Sequence, residues 1–318
     1  MFRKILTVML LCCLTMLLGG CNNDITSLKN NNLKIATGST GGTYYPLGLA
    51  LKDSLNKNIR DCDAKVISTR GSMQNVRLLQ NQFADMAFVQ GDIAYYAANG
   101  LEMYVDRKAT KLRCLASLYP EIVQIVVRKD SGIKTIDDLR NKTVAVGPSD
   151  SGTELNARQV LQNCGVYFDD IFVKYYDFNT ASQALAQGTI DAAVMTAGYP
   201  TPAIENLARN TNIAILPIED KDLDKLIEKH PFYSKVTLPT SSYNSQANIS
   251  VAAIPCLLLA TTRMESDDAI KILTVLFNNP TAMRRSNTAA NVIDKSTALV
   301  GMSITGHDGA SRFFTNNK

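Results

Sequence analysis

The sequence predicts an α/β protein of two similar lobes, each built on a mixed, mainly parallel sheet, with a hinge between them. Three observations carry that prediction. A short apolar strand from Lys34 runs into the loop Gly38-Ser39-Thr40-Gly41-Gly42-Thr43 and then into an amphipathic helical run, Leu47–Leu55. About 110 residues later the order recurs, as strand Thr143–Val146, loop Gly147–Thr153 and helix Glu154–Cys164. Each half also holds a helix followed by an acidic residue and an apolar strand, and these acidic residues, Asp85 and Asp191, lie 106 positions apart. Alternating strands and helices with short connections favour parallel strands covered by helices on both faces.

The chain is expected to begin with a leader. Arg3 and Lys4 precede the apolar run Ile5–Leu18, whose 14 residues fall short of the roughly 20 that cross a bilayer. Leu18-Gly19-Gly20-Cys21 resembles a bacterial lipobox, so residues 1–20 are expected to be cleaved and Cys21 lipidated; an ordinary signal peptide with a chance cysteine is the alternative. Residues 21–32 are polar and asparagine-rich, and are expected to be a tether.

In the first lobe, strand Ala64–Ser68 leads to the loop Thr69–Asn75, helix Gln74–Asn81 and strand Asp85–Gln90. In the second, helix Ala181–Gln187 precedes the strand that follows Asp191, and Thr196–Pro200 forms a rim loop. Extended crossovers are expected at Ile122–Arg128 and, returning, at Ile249–Ile254. The first lobe is therefore expected over 33–121 plus 255–318, and the second over 122–254. Ser266–Asn278 and Asn291–Leu299 read as helices that pack back on the first lobe.

Composition narrows the function. The formal net charge is +4, two units of which belong to the leader, and no basic block suggests nucleic acid. Of seven cysteines, Cys62, Cys114, Cys164 and Cys256 remain once the leader and Cys21 are set aside, with no CxxC and no nearby histidine. That argues against a metal site or a redox motif. A Cys62–Cys114 disulfide is possible in an exported chain, with free thiols as the alternative. No GxSxG, HExxH, GxxxxGK[ST] or GxGxxG occurs, so no enzyme and no cofactor is expected.

Ligands of such sheets collect beyond the carboxyl ends of the strands. The two glycine loops lie there, and each opens a helix whose first amides lack intrahelical partners and attract an anion. Gly42, Thr43 and Tyr44 are the candidates at the first helix start, and Ser151, Gly152 and Thr153 at the second. Ser72 and Asn75 offer hydroxyl and amide groups, with helix capping the alternative for Ser72. Gln90 ends a strand facing the cleft, where its amide can donate to a carboxylate or accept from an ammonium. Tyr119 and Glu121 flank a proline at the first crossover; Glu121 suits an amino group on a ligand, or a hinge salt bridge. Tyr243 is a contact from the return segment or a packed tyrosine. Asp92 and Asp191 are expected to cap or to face solvent, and His230 and His307 to be structural.

Taken together, the segments Gly38–Pro46, Gly71–Asn75, Asp85–Tyr96, Ser117–Glu121, Val146–Asn156, Asp191–Gly198, Ser242-Tyr243 and His307–Ala310 resemble the solute receptors of TRAP transporters, TAXI subfamily. The resemblance spans nearly the whole chain after the leader, in the family's order. It implies a periplasmic-binding-protein-like fold of type II that closes on a small organic anion, a glutamate-like amino acid or a dicarboxylate. It further implies delivery to a TRAP membrane permease from an extracytoplasmic location, here with Cys21 acylated into the bilayer. A surface antigen without a transport role and a hydrolase on the same fold are the competing expectations.

Overall fold

The computed structural model describes residues 25–239, 243 and 248–316. The first lobe opens with β1 (Lys34–Ala36), α1 (Tyr44–Asn58), β2 (Lys65–Ile67), α2 (Ser72–Gln80), β3 (Met86–Gln90) and α3 (Gly91–Asn99). The long β4 (Leu112–Arg128) follows. Then come β5 (Thr143–Ala145), α4 (Gly152–Asn163), β6 (Phe172–Lys174), α5 (Phe178–Ala186), β7 (Ala192–Gly198), α6 (Pro202–Asn210), β8 (Ile213–Ile215), α7 (Asp220–Lys229) and β9 (Ser234–Leu238). The long β10 (Ile249–Thr261) precedes α8 (Ser266–Asn278), α9 (Pro280–Ser286) and α10 (Asp308–Asn316).

The same three-strand unit occurs twice. β1 pairs in parallel with β2 and β3, and β5 in parallel with β6 and β7. In the overall order β2-β1-β3-β10-β4-β7-β5-β6 the antiparallel β10 and β4 stand between the two units. β4 pairs with β10 from Leu112 to Ile122 and with β7 from Glu121 to Val127, so it changes neighbours around Glu121. The acidic residues that marked the repeat do the same work in both units. Asp85 accepts from the amide of Lys34 and donates its own amide to the Lys34 carbonyl, while Asp191 makes the matching pair with Thr143. Each carboxylate thus satisfies a strand-end amide that has no ladder partner.

The apolar faces close over this sheet in separate clusters. Phe88, Leu47, Leu51, Leu115 and Leu258 lie under α1 and α8 in the first lobe. Val144, Val160, Leu161 and Val194 pack under α4 in the second. Pro46 falls in the first turn of α1, where a missing N–H costs nothing. Among the described residues no helix is long and apolar enough to cross a membrane.

Two expectations need correction. The polar stretch after the leader is not a free tether from Ile25 onward. Ile25 bridges Ile59, Leu28 is buried, the Lys29 amide donates to Asp268 at 2.9 Å, and Lys271 holds the Ser27 carbonyl. Asn291–Leu299 is not a helix either, since only residues as far as Val292 are helical, in a short 3-10 turn. Asn287 bonds the amide of Ala289, and Asp294 bonds the amide and hydroxyl of Ser296. Such local side-chain bonds compete with a helix. Ser266–Asn278 is helical as expected, and the four cysteines Cys62, Cys114, Cys164 and Cys256 are free. Cys21 lies outside the described residues.

Candidate functional site

A small cavity of about 40 Å³ lies between the two units, where the loops before α1 and α4 face each other. Gly42, Thr43, Tyr44, Ser72, Gln90 and Glu121 line it from the first unit and the middle of β4. Ser151, Gly152, Thr153, Phe178 and Thr196 line it from the second. A volume of this size holds only a few water molecules, so the facing loops stand close together.

Local backbone chemistry brings the loops there. Ser151 caps α4 by accepting from the Glu154 amide at 3.1 Å, which leaves the Gly152 and Thr153 amides at the helix start without intrahelical carbonyls. Thr43 caps α1 without a side-chain bond of its own. Its hydroxyl instead donates across the cleft to the Gly198 carbonyl at 3.1 Å. Gly152 is required by close approach: a Cβ built there would lie 1.5 Å from Gln90 Oε1. Gly71 holds a φ of +113°, which turns the chain between β2 and α2 and sets Ser72 at the helix start.

The cavity floor is acidic. Glu121 is 1% exposed, takes a hydrogen bond from the Tyr44 hydroxyl and lies 3.4 Å from Gln90 Nε2. Burial pushes its carboxyl up to about 8, partly offset by the bonds it accepts. Among the described residues no lysine, arginine or histidine forms an ion pair with it, so it is not a hinge salt bridge. Gln90 Oε1 and Thr196 Oγ1 are buried without a hydrogen-bond partner. Arg70 is exposed and also lines the cavity, so a cation lies at the rim and a carboxyl at the floor.

Of the eleven expected contacts, eight line the cavity and Asn75, Tyr119 and Tyr243 do not. Asn75 is fully buried behind α2, where its amide donates to the carbonyls of Thr37 and Phe88 and ties β1 to β3. Tyr119 packs in the first-lobe core, its ring against Gly198. Tyr243 accepts from the Thr201 amide at 2.7 Å and donates to Gln124 at 2.9 Å, bracing the rim loop instead of facing the cavity. Ser72 does not cap α2, since Gly71 stands at the cap position without a side-chain bond; the Ser72 hydroxyl instead accepts from the Gln90 amide at 3.0 Å.

Asp92 departs from expectation most. It is fully buried in the first turn of α3, bonded to the Ile93 amide and to Asn156, and burial pushes its carboxyl up to about 6. His307 is structural: it takes the Gly309 amide on Nδ1 and bonds the Met264 carbonyl through Nε2. Asn156 was missed, although a polar residue on the helical stripe Thr153, Asn156, Ala157, Val160 is a signal in its own right. Among the described residues no three His, Cys, Asp or Glu side chains are grouped to hold a metal.

Comparison with known proteins follows the fold. Among solved structures, a protein of Bordetella bronchiseptica RB50 matches with a TM-score of 0.55 at 15% identity, over 91% of this chain and 99% of that one. The alkanesulfonate-binding protein SsuA of Xanthomonas axonopodis pv. citri, bound to MOPS, gives 0.50 at 12%, over 92% and 86%. A structure from Listeria monocytogenes described as an L-cystine ABC transporter gives 0.51 at 12%, over 83% and 97%. At these identities the matches speak for a shared architecture, the type II periplasmic-binding-protein-like α/β fold. The model of the NMT1-like family matches residues 35–317, nearly the whole described chain, and this protein belongs to that family.

Proposed function

We propose that this protein is an extracytoplasmic solute receptor whose two lobes close on a small amino acid of the glutamate kind. The lobes divide near 121/122 and 254/255, where β4 and β10 pass between them. One observation carries the choice of an amino acid over a dicarboxylate: Glu121 lies buried on the cavity floor with no cationic partner among the described residues, beside Gln90 Oε1, which also has no partner among them. Both are acceptors, and a ligand ammonium supplies donors to both. The ligand carboxylates then meet the first amides of α1 and α4 and the rim cation Arg70.

Proton linkage tests the reading. An ammonium beside Glu121 favours its charged form, so binding between about pH 6 and 8 expels the proton that burial retains there. A dicarboxylate places more negative charge nearby and keeps the proton on. Calorimetry of L-glutamate and L-glutamine in buffers of different ionisation enthalpy is expected to report proton release at pH 7. Binding of succinate or 2-oxoglutarate without proton release, and none of the amino acids, overturns the amino-acid assignment. A thermal-shift panel of these four compounds chooses the ligands to titrate.

The sequence resemblance favours a TRAP permease as the partner. The Listeria relative, described as an ABC transporter, supports an ABC-type permease as a second reading. Uptake that collapses with an ionophore at constant ATP supports the first, and uptake that follows ATP the second. We also propose that acylated Cys21 anchors the receptor to a bilayer, which mass spectrometry of the mature N-terminus tests. An unmodified terminus beyond Cys21 sinks the anchor.

A further inference from the structure

The face of α4 that looks across the cleft carries a polar chain with no role in the solute reading so far. Asn156 is fully buried and makes three bonds. Its Nδ2 donates to Asp92 at 2.9 Å and to the Tyr233 hydroxyl at 3.1 Å, and its Oδ1 accepts from Gln90 Nε2 at 2.9 Å. Asp92 and Gln90 belong to the first unit, Asn156 to the second. One helical turn on, Gln159 donates to the Tyr96 hydroxyl at 3.4 Å and accepts from Tyr233 at 2.7 Å. Positions 92 and 96 share one face of α3, and 156 and 159 one face of α4, so the two helices meet through matched polar rows.

We propose that Asn156 is the latch that holds the lobes together and the positioning residue that turns Gln90 Oε1 toward the ligand. The argument for latching is that Asn156 is the residue whose donor and acceptor are both used across the cleft. Separating the lobes breaks the bonds to Asp92 and Gln90 together and water replaces them, so closure gains the net worth of two hydrogen bonds, one of them to a carboxyl group. The argument for positioning is geometric. Gln90 Nε2 donates to Asn156 Oδ1, and Asn156 is itself fixed by donating to Asp92 and Tyr233, so turning the Gln90 amide over would set oxygen against oxygen there. The oxygen is thereby left against Gly152 in the cavity wall. This assignment of Gln90 rests on the solute reading above; the latch itself does not.

The test uses exchange of the pair. Asn156→Asp sets two carboxylates face to face, and Asp92→Asn leaves one acceptor oxygen for two donors, the Ile93 amide and Asn156. The double variant D92N/N156D restores one donor opposite one acceptor with the direction reversed. Solution scattering of the protein without added ligand is expected to show a larger radius of gyration for each single variant than for the wild type. The double variant is expected to return to the wild-type profile. Asn156→Ser, which loses the reach but adds no charge, serves if Asn156→Asp does not fold, and is expected to expand likewise. Singles as compact as the wild type, or a double as expanded as the singles, overturn the latch. L-glutamate titrated into the wild type decides the solute reading separately: no binding there sinks glutamate as ligand, while the scattering result still decides the latch.

Discussion

Glu121 concentrates the chemistry of the site in one carboxyl group. Its folded value of about 8 stands above its ordinary value, so between the two the folded protein keeps a proton that the unfolded chain releases. Stability from this group is therefore complete below the ordinary carboxylate range and is lost as pH rises through 8. Asp92 behaves likewise but finishes near 6, and both histidines are held below their ordinary value. The four thiols, pushed up by burial, add the same sign only as pH nears 9, so over pH 7 to 8.5 the difference between wild type and a Glu121 variant reports Glu121. Glu121→Gln is expected to flatten the fall in melting temperature over that interval and to abolish proton release on L-glutamate binding. Equal slopes in calorimetric scans of the two proteins would show that Glu121 does not titrate there. Gly152 offers a steric test of the same wall. A methyl at that position meets Gln90 Oε1 and Cδ, 1.5 and 2.6 Å away, so Gly152→Ala forces Gln90 to turn or the lobes to part. Overpacking of this kind costs about 1–3 kcal/mol, and L-glutamate affinity is expected to fall by about tenfold or more. Unchanged affinity by calorimetry would take Gly152 out of the wall.

At the scale of elements, the helix starts matter most. Ser151 caps α4 through Glu154, and loss of such a cap costs about 1 kcal/mol. Ser151→Ala is expected to lower stability by that amount in urea titration while also weakening binding, because the Gly152 and Thr153 amides lose their fixed direction. Stability lost with affinity intact would separate the cap from the site. The helix starts were legible in the sequence because glycine loops, caps and apolar strands are local signals. So was the repeat, since Asp85 and Asp191 each close a strand end against Lys34 and Thr143. What escaped depended on distant chain. Tyr243 braces Thr201, Asn75 joins β1 to β3, and Tyr119 packs behind Gly198, and no local pattern distinguishes these from ligand contacts. Asp92 and Asn156 find each other only when α3 and α4 are brought face to face, 64 positions apart.

The whole molecule is a pair of lobes meeting through scattered polar contacts and carried on two continuous strands. Outside the Asn156 row, the Thr43 hydroxyl reaches the Gly198 carbonyl, the Ala203 amide reaches the Gly41 carbonyl at 3.0 Å, and Asn179 reaches Thr40 at 3.0 Å. Arg77 and Asp150 also meet at 3.3 Å, but both side chains reach solvent, and such pairs contribute little. No large apolar interface is needed to explain closure, because a ligand held from both sides adds its differential affinity to these bonds. The Thr43 bond is the most informative of them, being buried and reaching directly across the cleft. Thr43→Val keeps the shape and removes the donor, and a neutral hydrogen bond contributes about 0.5–1.5 kcal/mol, so closure should require about threefold to tenfold more ligand. Scattering along an L-glutamate titration is expected to show the same compact end point in both proteins, with the midpoint of compaction displaced upward in Thr43→Val. Superimposable titrations would mean that Thr43 does not join the lobes in solution. Profiles that never change in either protein, with binding confirmed in the same samples, would mean that the lobes stay together without ligand and that ligand adds no compaction.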